Sequence, residues 1–206
     1  MQVAVHAGAT AIGFMLAESK RRVSLDEVVD IREQSNLGSV RAVGVTVNET
    51  AGTLRDWREA AGLDTLQLSG DEDVSILDDL GGSVWKALRF EPGTSVEDAS
   101  RMIDPWFDHR QPVEVILVDA YVRGMYGGSG HRADWDLARQ LAERYPVVLA
   151  GGLSPENVTS AIEQAIPLGV DVSSGVETEN RKDPDKIRRF VAGALAALDS
   201  HGSREG

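Results

Sequence analysis

The 206-residue sequence contains no cysteine. That excludes disulfides, thiolate metal sites and a cysteine nucleophile drawn from these residues. Lysine is nearly as scarce, with four among the 21 cationic side chains. Acidic residues number 33, for a formal net charge of −12. This argues against non-specific binding to nucleic acid or to an acidic membrane surface. It leaves room for a small anionic ligand, because backbone amides bind phosphate without side-chain charge. No apolar run approaches the roughly 18 residues of a membrane span. The opening MQVAVHAGATAIGFML lacks the basic segment of a signal peptide, so the expected location is the cytoplasm. No linker, low-complexity tract or long charge run divides the chain. A sequence of this length buries a core without staples, and residues 1–200 read as one domain with 201–206 as a flexible tail.

What the sequence does have is a regular alternation. Seven short apolar or β-branched runs, at 11–15, 40–47, 65–68, 84–89, 113–119, 147–150 and 170–172, predict strands. Amphipathic stretches between and after them, at 25–34, 50–61, 74–80, 96–107, 133–144, 155–165 and 183–198, predict helices. Such alternation implies βαβ units and a parallel sheet. Ser24 with Glu27 has the spacing of a capping box. Ser154 before Pro155 reads as the start of another helix, with proline in its first position. A doubly wound sheet and a (β/α)8 barrel both fit. No strand is followed by the glycine fingerprint of dinucleotide binding, and the glycine clusters come late, which favours the barrel, whose phosphate sites form after its last strands.

Three segments fall at predicted C-terminal strand ends: Val118-Asp119-Ala120 with Tyr126–Gly130 beyond it, Ala150-Gly151-Gly152, and Asp171-Val172-Ser173-Ser174-Gly175. Gly151-Gly152 and Ser173-Ser174-Gly175 each let backbone N–H groups approach an anion closely. Singly, each reads as a glycine turn; as a pair on neighbouring strands, they read as a phosphate cradle. Asp119 ends the apolar run VEVILVDA, where a carboxylate is either a catalytic acid or base or a salt-bridged aspartate.

Together these stretches resemble the phosphoribosylanthranilate isomerase family of tryptophan biosynthesis. AGATAIGFML is similar to the family's AGADAIGFVF, SKRRVSLDE to SPRYVSPEE, VGVTVNET to VGVFVNEP and GLDTLQLSGDE to GLDAVQLHGDE. VILVDA, GGSG and ADW follow its LLLDA, GGTG and FDW, and LAGGLSPENV and GVDVSSGVET match almost throughout. The resemblance implies a (β/α)8 TIM barrel of the ribose-phosphate-binding type. It implies an Amadori rearrangement of N-(5-phosphoribosyl)anthranilate to 1-(2-carboxyphenylamino)-1-deoxyribulose 5-phosphate, with no metal or organic cofactor and a phosphorylated small molecule as partner. The protein would be a monomer or a homodimer. It puts the general acid on Asp119 and the arginine for the anthranilate carboxylate on Arg21, with Arg22 as the neighbouring possibility. Phosphate falls to Gly151, Gly152, Ser173, Ser174 and Gly175. Gln67 lies near the aromatic moiety, Gly128 belongs to a loop over the site, and Asp171 orients loops.

The sequence departs from the family at two places. Ser69 replaces the histidine of QLHG. The family's first strand, close to K-I-C-G-L-T and carrying the general-base cysteine, has no counterpart: Met1–Gly8 aligns with the end of the following helix, and His6 is no evident substitute. A start site assigned too late is the preferred explanation, with an in-frame upstream stretch encoding a Cys-Gly pair expected. The competing readings are a degenerate, non-catalytic phosphate-binding barrel and another ribose-phosphate enzyme such as an epimerase.

Overall fold

The computed structural model describes residues 1–35, 37–120 and 133–202, the side chains of 201 and 202 excepted. Seven strands pair in parallel in chain order: β1 (Ala11–Met15), β2 (Arg41–Thr46), β3 (Thr65–Leu68), β4 (Ser83–Arg89), β5 (Val115–Asp119), β6 (Val147–Leu149) and β7 (Gly169–Val170). Strands buried on both faces need apolar side chains in succession, as Ala42, Val43 and Val45 of β2 and Val115–Val118 of β5 supply.

The helices are α1 (Gln2–Ala7), α2 (Leu25–Gln34), α3 (Ala51–Ala61), α4 (Leu77–Leu80), α5 (Val96–Asp108), α6 (Trp135–Ala142), α7 (Val158–Ala165) and α8 (Pro184–Gly202). They cover the outer face of the curled sheet. One large cluster, including Leu54, Leu66, Ile103, Ile116, Leu141 and Ile162, fills the space between sheet and helices. A small inner cluster of Ala87, Val115 and Leu117, flanked by Trp85 and Val148, lines the concave side. First and last helices pack together, α1 on α8, whereas β1 and β7 are the two edges of the sheet and do not pair among the described residues. No helix among the described residues is long and apolar enough to cross a membrane.

The Ser24 capping box forms as the spacing predicts, with Ser24 Oγ accepting from the Glu27 N–H and the Glu27 carboxylate accepting from the Ser24 N–H. The start of α7 differs from expectation. Residues 155–157 make a turn, and the helix begins at Val158. Asn157 causes the delay: its side chain donates to Gly152 O (2.9 Å) and accepts from the Ser154 N–H (2.8 Å), holding the preceding loop in a bend. The last helix runs to Gly202, four residues beyond its predicted end, into the segment expected to be loose. An antiparallel hairpin of β8 (Glu177–Thr178) and β9 (Arg181–Lys182) was not legible in the sequence. Glu179 and Asn180 make its two-residue turn, both with positive φ (51° and 61°), as a type I′ turn requires.

Candidate active site

Side chains alternate across each strand, and on β4 this sorts charge by face. Trp85 and Ala87 point inward, so Arg89 does too; Lys86 between them points outward into the helical layer. On β5, Val115 and Leu117 are inner residues, which brings Asp119 to the inner face at the C-terminal rim, in register beside Arg89.

Asp119 keeps 15% of its side-chain surface exposed. Its Oδ1 accepts from the Ala120 N–H (2.8 Å), and its Oδ2 lies 3.8 Å from Arg89 Nε. Arg89 also donates through Nη2 to Ser69 O (2.7 Å). Burial raises the Asp119 pKa above the usual aspartate value, against the opposing pull of the Ala120 N–H and the Arg89 cation. Gly151 lies directly against this carboxylate: a Cβ there would come within 2.8 Å of Asp119 Oδ1, and its φ of +77° disfavours other residues.

Asp171 follows β7 at the same rim, its N–H donating to Leu149 O (2.9 Å). It is crowded by protein yet still open to water. Desolvation and the Asp119 carboxylate push it up to about 6, with Lys182 opposing. Its openness to water makes this a sign of local repulsion more than of stability.

The two glycine loops touch. A Cβ on Gly175 would collide with Leu153 O, so only glycine permits the loop after β7 to close onto the loop after β6. Ser174–Val176 forms a single 3-10 turn there, and Gly151, Gly152, Ser173, Ser174 and Gly175 are all half-buried. A short extra helix beside the last βα loops is a common phosphate-binding arrangement in barrels.

Arg21 lies on the loop after β1, 20% exposed, clasped by Glu177 of β8. Its Nε and Nη2 donate to Glu177 Oε1 (2.7 Å) and Oε2 (2.9 Å). Lys182 Nζ stands 3.0 Å from Glu177 Oε1 and donates to Ser173 O (2.8 Å), joining this clasp to the glycine loops. The hydrogen bonds from Arg21 and Lys182 hold Glu177 down to about 2. Arg22, the alternative, pairs with Glu18 on the surface with half its side chain exposed. His6 is on the exposed side of α1, with Nδ1 2.8 Å from Gln2 O. Gln67 is half-buried on β3 and donates to Ser69 Oγ (3.1 Å). Gly128 and the rest of Gly127–Gly130 lie outside the described residues.

Sequence reasoning missed a buried network just behind the rim. Lys86 Nζ donates to Glu72 Oε2 (2.6 Å) and Gly70 O (2.7 Å) and sits 5.1 Å from the Trp106 ring centroid. Glu72 Oε1 accepts from the Asn48 N–H (2.9 Å) and the Gly70 N–H (3.0 Å), and Asn48 Oδ1 accepts from the Asp71 N–H (2.7 Å). These bonds fasten the loops after β2 and β3 to β4. A lone lysine inside the apolar run SVWKALR was the available signal.

A parallel α/β barrel sheet with an acid and paired glycine loops at its C-terminal rim defines a ribose-phosphate-type barrel enzyme. Residues 1–193 match the family model described as N-(5′-phosphoribosyl)anthranilate (PRA) isomerase, and the chain belongs to that family. The N-(5′-phosphoribosyl)anthranilate isomerase of Roseiflexus castenholzii is 44% identical over 201 residues, covering 94% of this chain and 92% of the relative. That of Acetivibrio thermocellus is 42% identical over 190 residues, covering 87% and 83%. The crystal structure of phosphoribosyl anthranilate isomerase from Thermotoga maritima superposes with a TM-score of 0.81 at 32% identity, covering 94% and 92%. Another isomerase structure, bound to reduced 1-(o-carboxyphenylamino)-1-deoxyribulose 5-phosphate, matches with a TM-score of 0.77 at 32% identity, covering 94% and 91%.

Proposed function

We infer that the chain catalyses the Amadori rearrangement of N-(5′-phosphoribosyl)anthranilate in tryptophan biosynthesis, with Asp119 as the general acid. The carrying observation is a carboxyl group with a raised pKa at the inner rim, one loop away from paired glycine turns. Protonated Asp119 gives its proton to the furanose ring oxygen. The C1′–O bond breaks and the nitrogen lone pair forms the Schiff base. Loss of the C2′ proton yields an enolamine, which tautomerises to the ketone. The family resemblance gives that proton abstraction to a cysteine thiolate, which none of the 206 residues supplies. In this reading Asp119 opens the ring, Arg21 anchors the carboxylate and the two glycine loops bind the phosphate.

Phosphate binding rests on the contact between the two loops. Gly175→Ala would push Leu153 O and the loop after β6 aside, removing backbone donors from the phosphate. Affinity for the reduced product analogue should fall by about tenfold or more, the worth of a hydrogen bond to a charged group. Calorimetric titration checks this, and unchanged affinity would remove Gly175 from the cradle.

The Asp119–Asp171 pair supports a pH prediction. Ring opening needs protonated Asp119, so kcat/KM falls as pH rises through the Asp119 pKa. Asp119→Asn removes the like charge beside Asp171 and should lower the Asp171 pKa from about 6, read by NMR titration of its carboxyl carbon. Arg89 and Lys182, the cations facing the pair, are unchanged in this variant. An unmoved Asp171 titration would mean that the two carboxylates do not interact.

A non-catalytic phosphate-binding barrel is the second reading, but phosphate binding alone has no use for a desolvated carboxyl group at the rim whose pKa is raised. The substrate is a phosphorylated small molecule whose charge confines it to the cell interior, so the enzyme works in the cytoplasm, as a monomer or a homodimer. Complementation of a tryptophan auxotroph lacking the isomerase, using the gene with the DNA upstream of Met1, tests the activity. Failure to restore growth from a well-expressed protein would overturn it.

A further inference from the structure

A guanidinium carries five N–H groups in one plane: one on Nε and two on each Nη. Glu177 occupies the Nε–Nη2 edge of Arg21 side-on, through two bonds of 2.7 and 2.9 Å. Among the described residues, neither N–H of Nη1 meets a protein acceptor, and one N–H of Nη2 is left over. These groups form a second planar edge, matched in geometry to another carboxylate.

The clasp is rigid. Glu177 is 8% exposed, and its backbone carbonyl accepts from Lys186 Nζ (2.7 Å). Its Oε1 is shared with Lys182. A second tie, from Lys20 Nζ to Asn180 Oδ1 (2.5 Å), fastens the loop of Arg21 to the same hairpin. Three of the four lysines in the sequence thus serve this one corner of the rim. A flexible cation held along one edge by a buried anion can turn only its other edge to a ligand.

We propose that Glu177 is a positioning residue that fixes the free edge of Arg21 toward the site and thereby sets the selectivity for an aglycone carrying a carboxylate. The proposal rests on Arg21 as the carboxylate anchor. Positioning is distinguished from the opposite arrangement, in which Glu177 competes with the substrate carboxylate for Arg21, by the sign of the effect when its charge is removed.

The test compares two probes by titration: reduced 1-(o-carboxyphenylamino)-1-deoxyribulose 5-phosphate and its counterpart without the ring carboxylate. Glu177→Gln should weaken the first by about tenfold and leave the second nearly unchanged, one lost charge-assisted contact being worth about that factor. In steady-state assays KM should rise by more than kcat falls, and Glu177→Asp, which keeps the charge, should recover part of the preference. With Arg21→Ala in place, adding Glu177→Gln should change nothing more. Equal weakening of both probes would reduce Glu177 to a structural tie, and tighter binding of the carboxylated probe would make it a competitor; either overturns the proposal. If Arg21→Ala alone retains the preference for the carboxylated probe, the anchor reading fails instead. Should Glu177→Gln not fold, Glu177→Asp carries the same comparison: an undiminished preference with a lengthened clasp overturns the proposal.

Discussion

Asp119→Asn should lower turnover by about 10²–10⁴, the range expected when a general acid is lost, while affinity for the reduced product analogue stays within a few-fold. The substitution is nearly isosteric. The amide oxygen still accepts from the Ala120 N–H, and the contact with Gly151 is preserved, so the rim keeps its shape. What disappears is the transferable proton. The environment matters because desolvation raises the Asp119 pKa, increasing the protonated fraction near neutrality relative to an exposed aspartate. Arg89, 3.8 Å away, acts in the other direction and limits the rise. Single-turnover kinetics beside calorimetric binding separate the two effects. Turnover within about threefold of the unsubstituted enzyme would sink the acid assignment.

Lys86→Met should cost about 3–5 kcal/mol, because it leaves Glu72 as a buried anion without its cation. Both side chains are only 2% exposed. Burial lowers the Lys86 pKa, and Glu72 is the main influence holding it up. For a chain of this size the loss corresponds to a melting temperature roughly 6–20 °C lower. Adding Glu72→Gln should recover part of it. The amide oxygen of Gln still accepts from the N–H groups of Asn48 and Gly70, and its amide nitrogen can donate to Gly70 O in place of the ammonium. A thermal melt checks both variants, and a loss under about 1 kcal/mol for Lys86→Met would show that water reaches Glu72.

Strands were legible wherever burial on both faces demands an unbroken apolar run. β1 and β3 have the predicted limits, and β5 begins two residues late and ends where expected. β7 was misplaced because only Gly169 and Val170 pair, leaving Asp171 and Val172 just past the strand. The start of α7 was misread because Pro155 suits a first helical position, while the bonds of the Asn157 side chain back to Gly152 O and the Ser154 N–H outweigh that preference. Hairpin strands of two residues have no periodicity to detect, and their turn uses Glu179-Asn180 in place of the usual glycine. Within the site, Asp119 and the glycine loops were readable because strand ends and missing Cβ atoms leave local signatures. The grip of Glu177 on Arg21 spans 156 positions and leaves none.

The alternation along β4 has a consequence for how such an enzyme changes over generations. Lys86 faces the helices and anchors folding stability, whereas Arg89, three positions on, faces the concave side next to Asp119. Variation at the two positions therefore falls under separate selective pressures. A library randomised at 86 should yield survivors sorted by heat tolerance, and one randomised at 89 survivors sorted by catalytic rate. Catalytic rate can thus drift on the concave face while the larger reserve of stability stays on the convex one.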